Sequence, residues 1–113
     1  MGDSVTRNVK DRDILVYSNA DTAGGDRIKM SVWASFDGAQ TWPVKRLVYE
    51  GPSAYSSMAA GRPETSSEGN IYVLFEGVET HRYHGIQVAR LNLSWLLEGE
   101  STGDGEVPEW VSR

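Results

Sequence analysis

The feature that most constrains this chain is strict two-residue alternation, interrupted by turn chemistry and nowhere replaced by a sustained helical period. From Arg27 to Ser35, RIKMSVWAS, the residues Ile28, Met30, Val32 and Ala34 fall on one side. Arg27, Lys29, Ser31, Trp33 and Ser35 fall on the other, which is the pattern of a half-buried strand. Trp42 to Glu50, WPVKRLVYE, sets Val44 and Val48 against Leu47 and Tyr49, and Ile14 to Ser18 is a short apolar run expected of a strand covered on both faces. Three further strands are expected at Tyr55–Ala60, Asn70–Glu76 and Ile86–Asn92. The connecting stretches, Gly51-Pro52, RPETSSEGN and GVETHRYHG, are rich in turn-forming residues. Leu93 to Glu98 can begin a short helix, and the last stretch, GESTGDGEVPEWVSR, reads as an extended or mobile tail.

Short strands with hairpin-sized connections and no helical crossovers make an antiparallel all-β protein. Sandwich, barrel and propeller all satisfy that pattern. The length of 113 residues suits one small domain, with four tryptophans, five tyrosines and two phenylalanines among 12 glycines. The formal net charge of −5 and the scattered basic residues argue against a general nucleic-acid partner. No apolar run reaches the roughly 18 residues of a membrane span. The first 13 residues, MGDSVTRNVKDRD, lack the apolar core of a signal peptide, so localisation is not read from this stretch. The absence of cysteine excludes disulfides and thiolate metal sites.

Between the two clearest strands lies SFDGAQTW, residues 35–42. An aspartate two residues into a turn can accept hydrogen bonds from the backbone N–H groups that follow, and the tryptophan can fold back over the turn. Ser35, Asp37, Thr41 and Trp42 in this spacing resemble the Asp box, S-x-D-x-G-x-T-W, of the sialidase (neuraminidase) family. The usual glycine of that box is Ala39, with Gly38 beside it. A Cβ at a position with positive φ costs roughly 1 kcal/mol, so a modestly distorted turn is expected.

The resemblance extends over residues 14 to 97. Residues 52–58, PSAYSSM, are similar to the family's G-x-x-Y-S-x-L segment, and residues 70–76, NIYVLFE, to its G-x-I-x-L-L-Y-E segment. Residues 86–96, IQVARLNLSWL, are similar to its closing I-x-x-A-R-F-N-L-x-W-L. The resemblance implies antiparallel four-stranded blades of a six-bladed β-propeller, with about two blades in this chain, since blades take about 40–50 residues each. Residues 1–13 then lead in, residues 14–97 form the C-terminal blades and residues 98–113 form an acidic tail.

The same resemblance implies an exo-α-sialidase, or the C-terminal piece of one, that removes terminal sialic acid from a sialylated glycan with retention and without a cofactor or metal. Tyr55 takes the place of the nucleophile, Arg27 that of one arginine of the carboxylate-binding triad, and Glu76 that of the residue orienting another. A tyrosine suits an anionic substrate that would repel a carboxylate nucleophile, and an arginine fork binds a carboxylate bidentately. The other two arginines, the aspartate acid and the glutamate base belong to earlier blades. An upstream propeller segment or a homo-oligomer is therefore expected to complete the site.

Topology offers a separate expectation. Taking Arg27–Ser35 and Trp42–Glu50 as successive strands, with the chain reversing at Gly51 before Tyr55, places Arg27, Tyr55 and Glu76 at one edge, opposite SFDGAQTW. Two other readings compete: a non-catalytic propeller piece that binds glycans or protein partners, and an Asp-box hydrolase of a different sugar that has no use for Arg27. His81 and His84, without a third ligand nearby, read as loop residues, and Asp104-Gly105-Glu106 as solvated acid. Trp95 and Trp110 are candidates either for sugar stacking or for packing of the C-terminal segment.

Overall fold

The computed structural model describes residues 3–9, 12–22, 28–62, 64–77 and 86–111, with the backbone alone for residues 3–9, 12, 52, 54, 55 and 77. Among these residues the chain is all-β and antiparallel apart from one short helix. The strands β1 (Asp3–Val9), β2 (Arg12–Ala20), β3 (Ile28–Ser35), β4 (Val44–Ala60), β5 (Asn70–Gly77) and β6 (Ile86–Asn92) follow one another as neighbours in a meander. Helix α1 (Leu93–Leu97) and the short strand β7 (Glu100–Ser101) complete it, with β7 paired to the start of β4.

β4 is the organising element. Its first half pairs with β3 and its second half with β5, so one 17-residue strand belongs to a four-stranded sheet, β1 to β4, and to a three-stranded one, β4 to β6. The expected reversal at Gly51-Pro52 does not occur. Proline removes a backbone donor and so acts as a strand breaker only where the ladder needs that donor. Here Pro52 lies opposite Ile28 at the irregular end of the β3 ladder, and β4 continues through it.

The buried faces of the two sheets meet in one core. β2 contributes Ile14 and Val16, β3 Met30, Val32 and Ala34, and β5 Ile71, Val73 and Phe75, each set at two-residue spacing. Val44 and Met58 from the two halves of β4, Leu91 of β6, Leu96 and Leu97 of α1, and Val111 close it. Ser18 of β2 and Ser56 of β4 meet across the two sheets, their hydroxyls 2.8 Å apart.

β2 is buried on one face only: Ile14 and Val16 point inward, while Leu15 and Tyr17 are half-buried on the outside. Tyr49 is also not where simple alternation puts it. The register shifts between Met30 and Ser31, which pair with Tyr49 and Leu47, so Val48 is an extra residue on β4. A bulge of this kind reverses the parity of the side chains beyond it. Tyr49 consequently packs inward against Phe75, with ring centroids 5.4 Å apart, while Leu47 stays on the outside.

Both chain ends depart from the sequence expectation. The lead-in is a strand, β1, paired residue for residue with β2 from Asp3↔Ser18 to Val9↔Arg12. The tail is bound to the sheet as far as it is described: Thr102 donates its N–H to the Pro43 carbonyl and its hydroxyl to the Trp42 carbonyl, and Val111 is in the core. The helix forms where expected. Asn92 caps it by accepting the N–H of Trp95 at 2.9 Å, and Leu96 and Leu97 are its buried residues.

Candidate functional site

The turn at residues 35–42 is held by the side chains of Ser35, Asp37 and Thr41. The Ser35 hydroxyl donates to Asp37 Oδ1 at 2.9 Å and accepts the N–H of Ala39 at 3.0 Å. Asp37 Oδ1 also accepts the Thr41 N–H at 2.9 Å, and Oδ2 accepts the Thr41 hydroxyl at 2.6 Å. These bonds, led by the Thr41 hydroxyl, hold the Asp37 carboxyl below its ordinary value of 3.8. A depressed carboxylate stabilises the fold fully above its unfolded pKa, and that stabilisation is lost as pH falls through the lower folded value. Thermal melting across acid pH is therefore expected to show the wild-type chain losing stability relative to Asp37→Asn below about pH 4. Parallel curves would exclude this linkage.

Gly38 and Ala39 both have a φ of 72°. Glycine adopts this conformation freely, whereas the Ala39 Cβ is strained there. Ala39→Gly is expected to raise stability by about 1 kcal/mol in urea unfolding, with the denaturant slope unchanged.

The C-terminal segment clamps the same turn. Asp104 Oδ2 accepts the Trp42 N–H at 2.8 Å, so this acid has a structural partner and is not simply solvated. Trp110 lies edge-on to Phe36 at 6.2 Å, and the Arg46 guanidinium stacks over Trp95 at 4.2 Å while donating to its carbonyl at 2.6 Å. Packing accounts for both tryptophans. Trp42 itself turns to the outer face of the four-stranded sheet, its ring 5.9 Å from that of Tyr17, which is in turn 5.7 Å from Trp33.

The other candidate residues concern the middle of β4. Ile28 at the start of β3 pairs with Pro52, and Gly77 at the end of β5 pairs with Ser53. The next pair is Ser56↔Phe75, so Ala54 and Tyr55 occupy a register break opposite Glu76. Three steps of extended strand lead from Pro52 to Tyr55, about 10 Å. Tyr55 is placed by its backbone and Glu76 is half-buried. Arg27, which precedes Ile28, lies outside the described residues, as do His81 and His84. Among the described residues no three His, Cys, Asp or Glu side chains gather as metal ligands.

One residue at this break escaped the sequence reading. Ser53 is 4% exposed, and its hydroxyl is buried with no hydrogen-bond partner among the described residues. Such a group is costly and is uncommon in native structures. Its only signal in the sequence is its place two residues before Tyr55. Comparison with protein-family models, with curated proteins and with solved structures found no match.

Proposed function

We propose that the chain is the C-terminal portion of an exo-α-sialidase propeller, acting on terminal sialic acids of glycans. The observation that carries this reading is the convergence on the middle of β4. The start of β3, the end of β5 and the register break holding Tyr55 all fall within a few residues of strand. The up-and-down order of neighbouring antiparallel strands, four on one side of β4 and three on the other with β4 shared, also supports it.

In this reading Tyr55 attacks the anomeric carbon as its bond to the glycosidic oxygen breaks, the acid of another blade protonating that oxygen as it leaves; water then breaks the bond to the phenolic oxygen and releases the sugar with retention. An ordinary tyrosine, with a pKa near 10, is neutral at neutral pH, so it meets an anionic sugar without the repulsion a carboxylate would suffer, and a neighbouring base takes its proton as it attacks. Arg27 grips the substrate carboxylate through two parallel N–H···O bonds. Glu76, opposite the break, orients a further arginine. The resemblance assigns the remaining arginines, the acid and the base to other blades, so binding tests this chain more directly than turnover.

Amide chemical shifts of the chain titrated with sialic acid are expected to move at residues 28, 53, 56 and 76, and to stay fixed with a neutral hexose. Arg27→Met should abolish the response. Shifts that are absent, or equal for the neutral sugar, would sink the reading. Hydrolysis of a fluorogenic α-sialoside in the presence of the missing blades should vanish in Tyr55→Phe.

A further inference from the structure

β6 ends the order of strands, so its side turned away from β5 is unpaired among the described residues. Its ladder to β5 runs unbroken from Asn70↔Asn92 to Glu76↔Ile86, and of its seven residues only Leu91 is buried. Proline, bulges and lysines commonly protect an edge strand, and IQVARLN has none of them. A cavity of about 570 Å³ lies here, lined by residues 89–92 together with Val48, Asn70 and Trp95. Successive strand residues face opposite ways, so a cavity touching four in a row runs along the edge of the strand. Ala89, Leu91, Val48 and Trp95 all pack on the core and make one wall of it apolar. Arg46, stacked on Trp95, is paired with Glu98 at 3.5 Å, and Glu68 stands in the turn before Asn70. Arg90 is exposed and in no ion pair among the described residues. The other charge on its face of β5 and β6 is Glu76, beside Ile86 and about 13 Å along the strand.

We infer that the free edge of β6 receives an extended strand of another polypeptide, with an apolar side chain in the cavity and a carboxylate on the residue next to it, beside Arg90. A row of open N–H and C=O groups at ladder spacing is satisfied in register only by another extended backbone. The added strand continues the pleat of the sheet. A residue turned to the inner side lies beside Ala89 or Leu91 and covers the wall made with Val48 and Trp95, taking apolar surface out of water. Its neighbours in sequence fall on the other face, where Arg90 stands without a partner, and an opposite charge there is favoured across the strands. The backbone supplies affinity, while the cavity and Arg90 select a strand that alternates apolar and acidic residues. The site lies apart from Tyr55 and does not rest on the sialidase reading.

The probe is the blocked heptapeptide TVELEVT, whose central leucine is flanked by glutamates, titrated into the full chain to about 1 mM, which detects even weak association. Amide chemical shifts of residues 88–92 are expected to move, and β6 amides that face away from β5 should gain protection from hydrogen exchange. Arg90→Glu should weaken binding of TVELEVT by about 5–10-fold and strengthen that of TVKLKVT by a similar factor. Ala89→Leu fills the cavity and should weaken both peptides by about tenfold. Arg90→Glu alters an exposed side chain, and circular dichroism checks that both variants fold. No movement at β6, shifts without added protection of any β6 amide, or affinities that either folded variant leaves unchanged would overturn the inference.

Discussion

Gly99→Ala is expected to release the C-terminal segment and lower stability by about 3 kcal/mol. Gly99 follows α1 and donates its N–H to the Leu96 carbonyl at 3.0 Å, which turns the chain toward β7. A Cβ at this position runs into the backbone carbonyl of Lys45, with Arg46 Cβ close behind. Neither obstacle is the free end of a side chain, because both sit on β4 between β3 and β7. Relief therefore requires the tail to lift. Lifting it breaks the Thr102 bonds to Pro43 and Trp42, frees Asp104 from Trp42 and exposes Val111. Gly103→Ala is the control: its φ of 80° strains an added Cβ, but nothing lies within 4 Å of it. That variant should cost only about 1 kcal/mol. Urea unfolding of the two variants, together with limited proteolysis after residue 99, measures the difference. Equal losses would mean that the close approach to Lys45 has no part in holding the tail.

Ile71→Ala should destabilise by about 3–4 kcal/mol. Ile71 is fully buried and lies between Ala60 of β4 and Leu91 of β6 on the inner face. Cutting back its side chain removes buried methyl and methylene groups and leaves a cavity that the strands, held by their ladders, cannot close. Ile71→Val, which removes one methylene, should cost about 1 kcal/mol. The urea midpoint should fall in that order with the slope preserved. A small loss for alanine would show that the two sheets shift to fill the space.

How much of this was legible in the sequence depends on what held each element. β3 was plain because one face is apolar and the other mostly polar, although Ser31 and Ser35 on the polar side are buried, and β5 and β6 lie at the expected positions, β5 one residue longer. The helix was expected at Leu93 to Glu98 and forms at Leu93–Leu97, while its Asn92 cap came only with the structure. β1 was not, since DSVTRNV carries two apolar residues and owes its strand to its pairing with β2. The tail was missed because side chain to backbone bonds from Thr102 and Asp104 leave no period. The continuity of β4 was hidden by Gly51-Pro52, a pair that breaks a strand only where a ladder bond is required.

At the candidate site, the turn residues were visible as a spaced motif, whereas the buried Ser53 hydroxyl had no pattern to announce it. The outer aromatic set was half-visible. Alternation put Trp33 on the polar side of its strand, and only the pairing of β2 with β3 brings Tyr17 beside it.

Because a single strand takes part in both ladders and bridges them, neither sheet has a boundary at which it can melt alone. Opening either ladder frees half of β4 and uncovers the apolar face of the other. The amide protons of β4 that are bonded in either ladder should therefore exchange with solvent only through global unfolding, in one cooperative unit of the described strands. A protease cut within β4 would divide not one sheet but both.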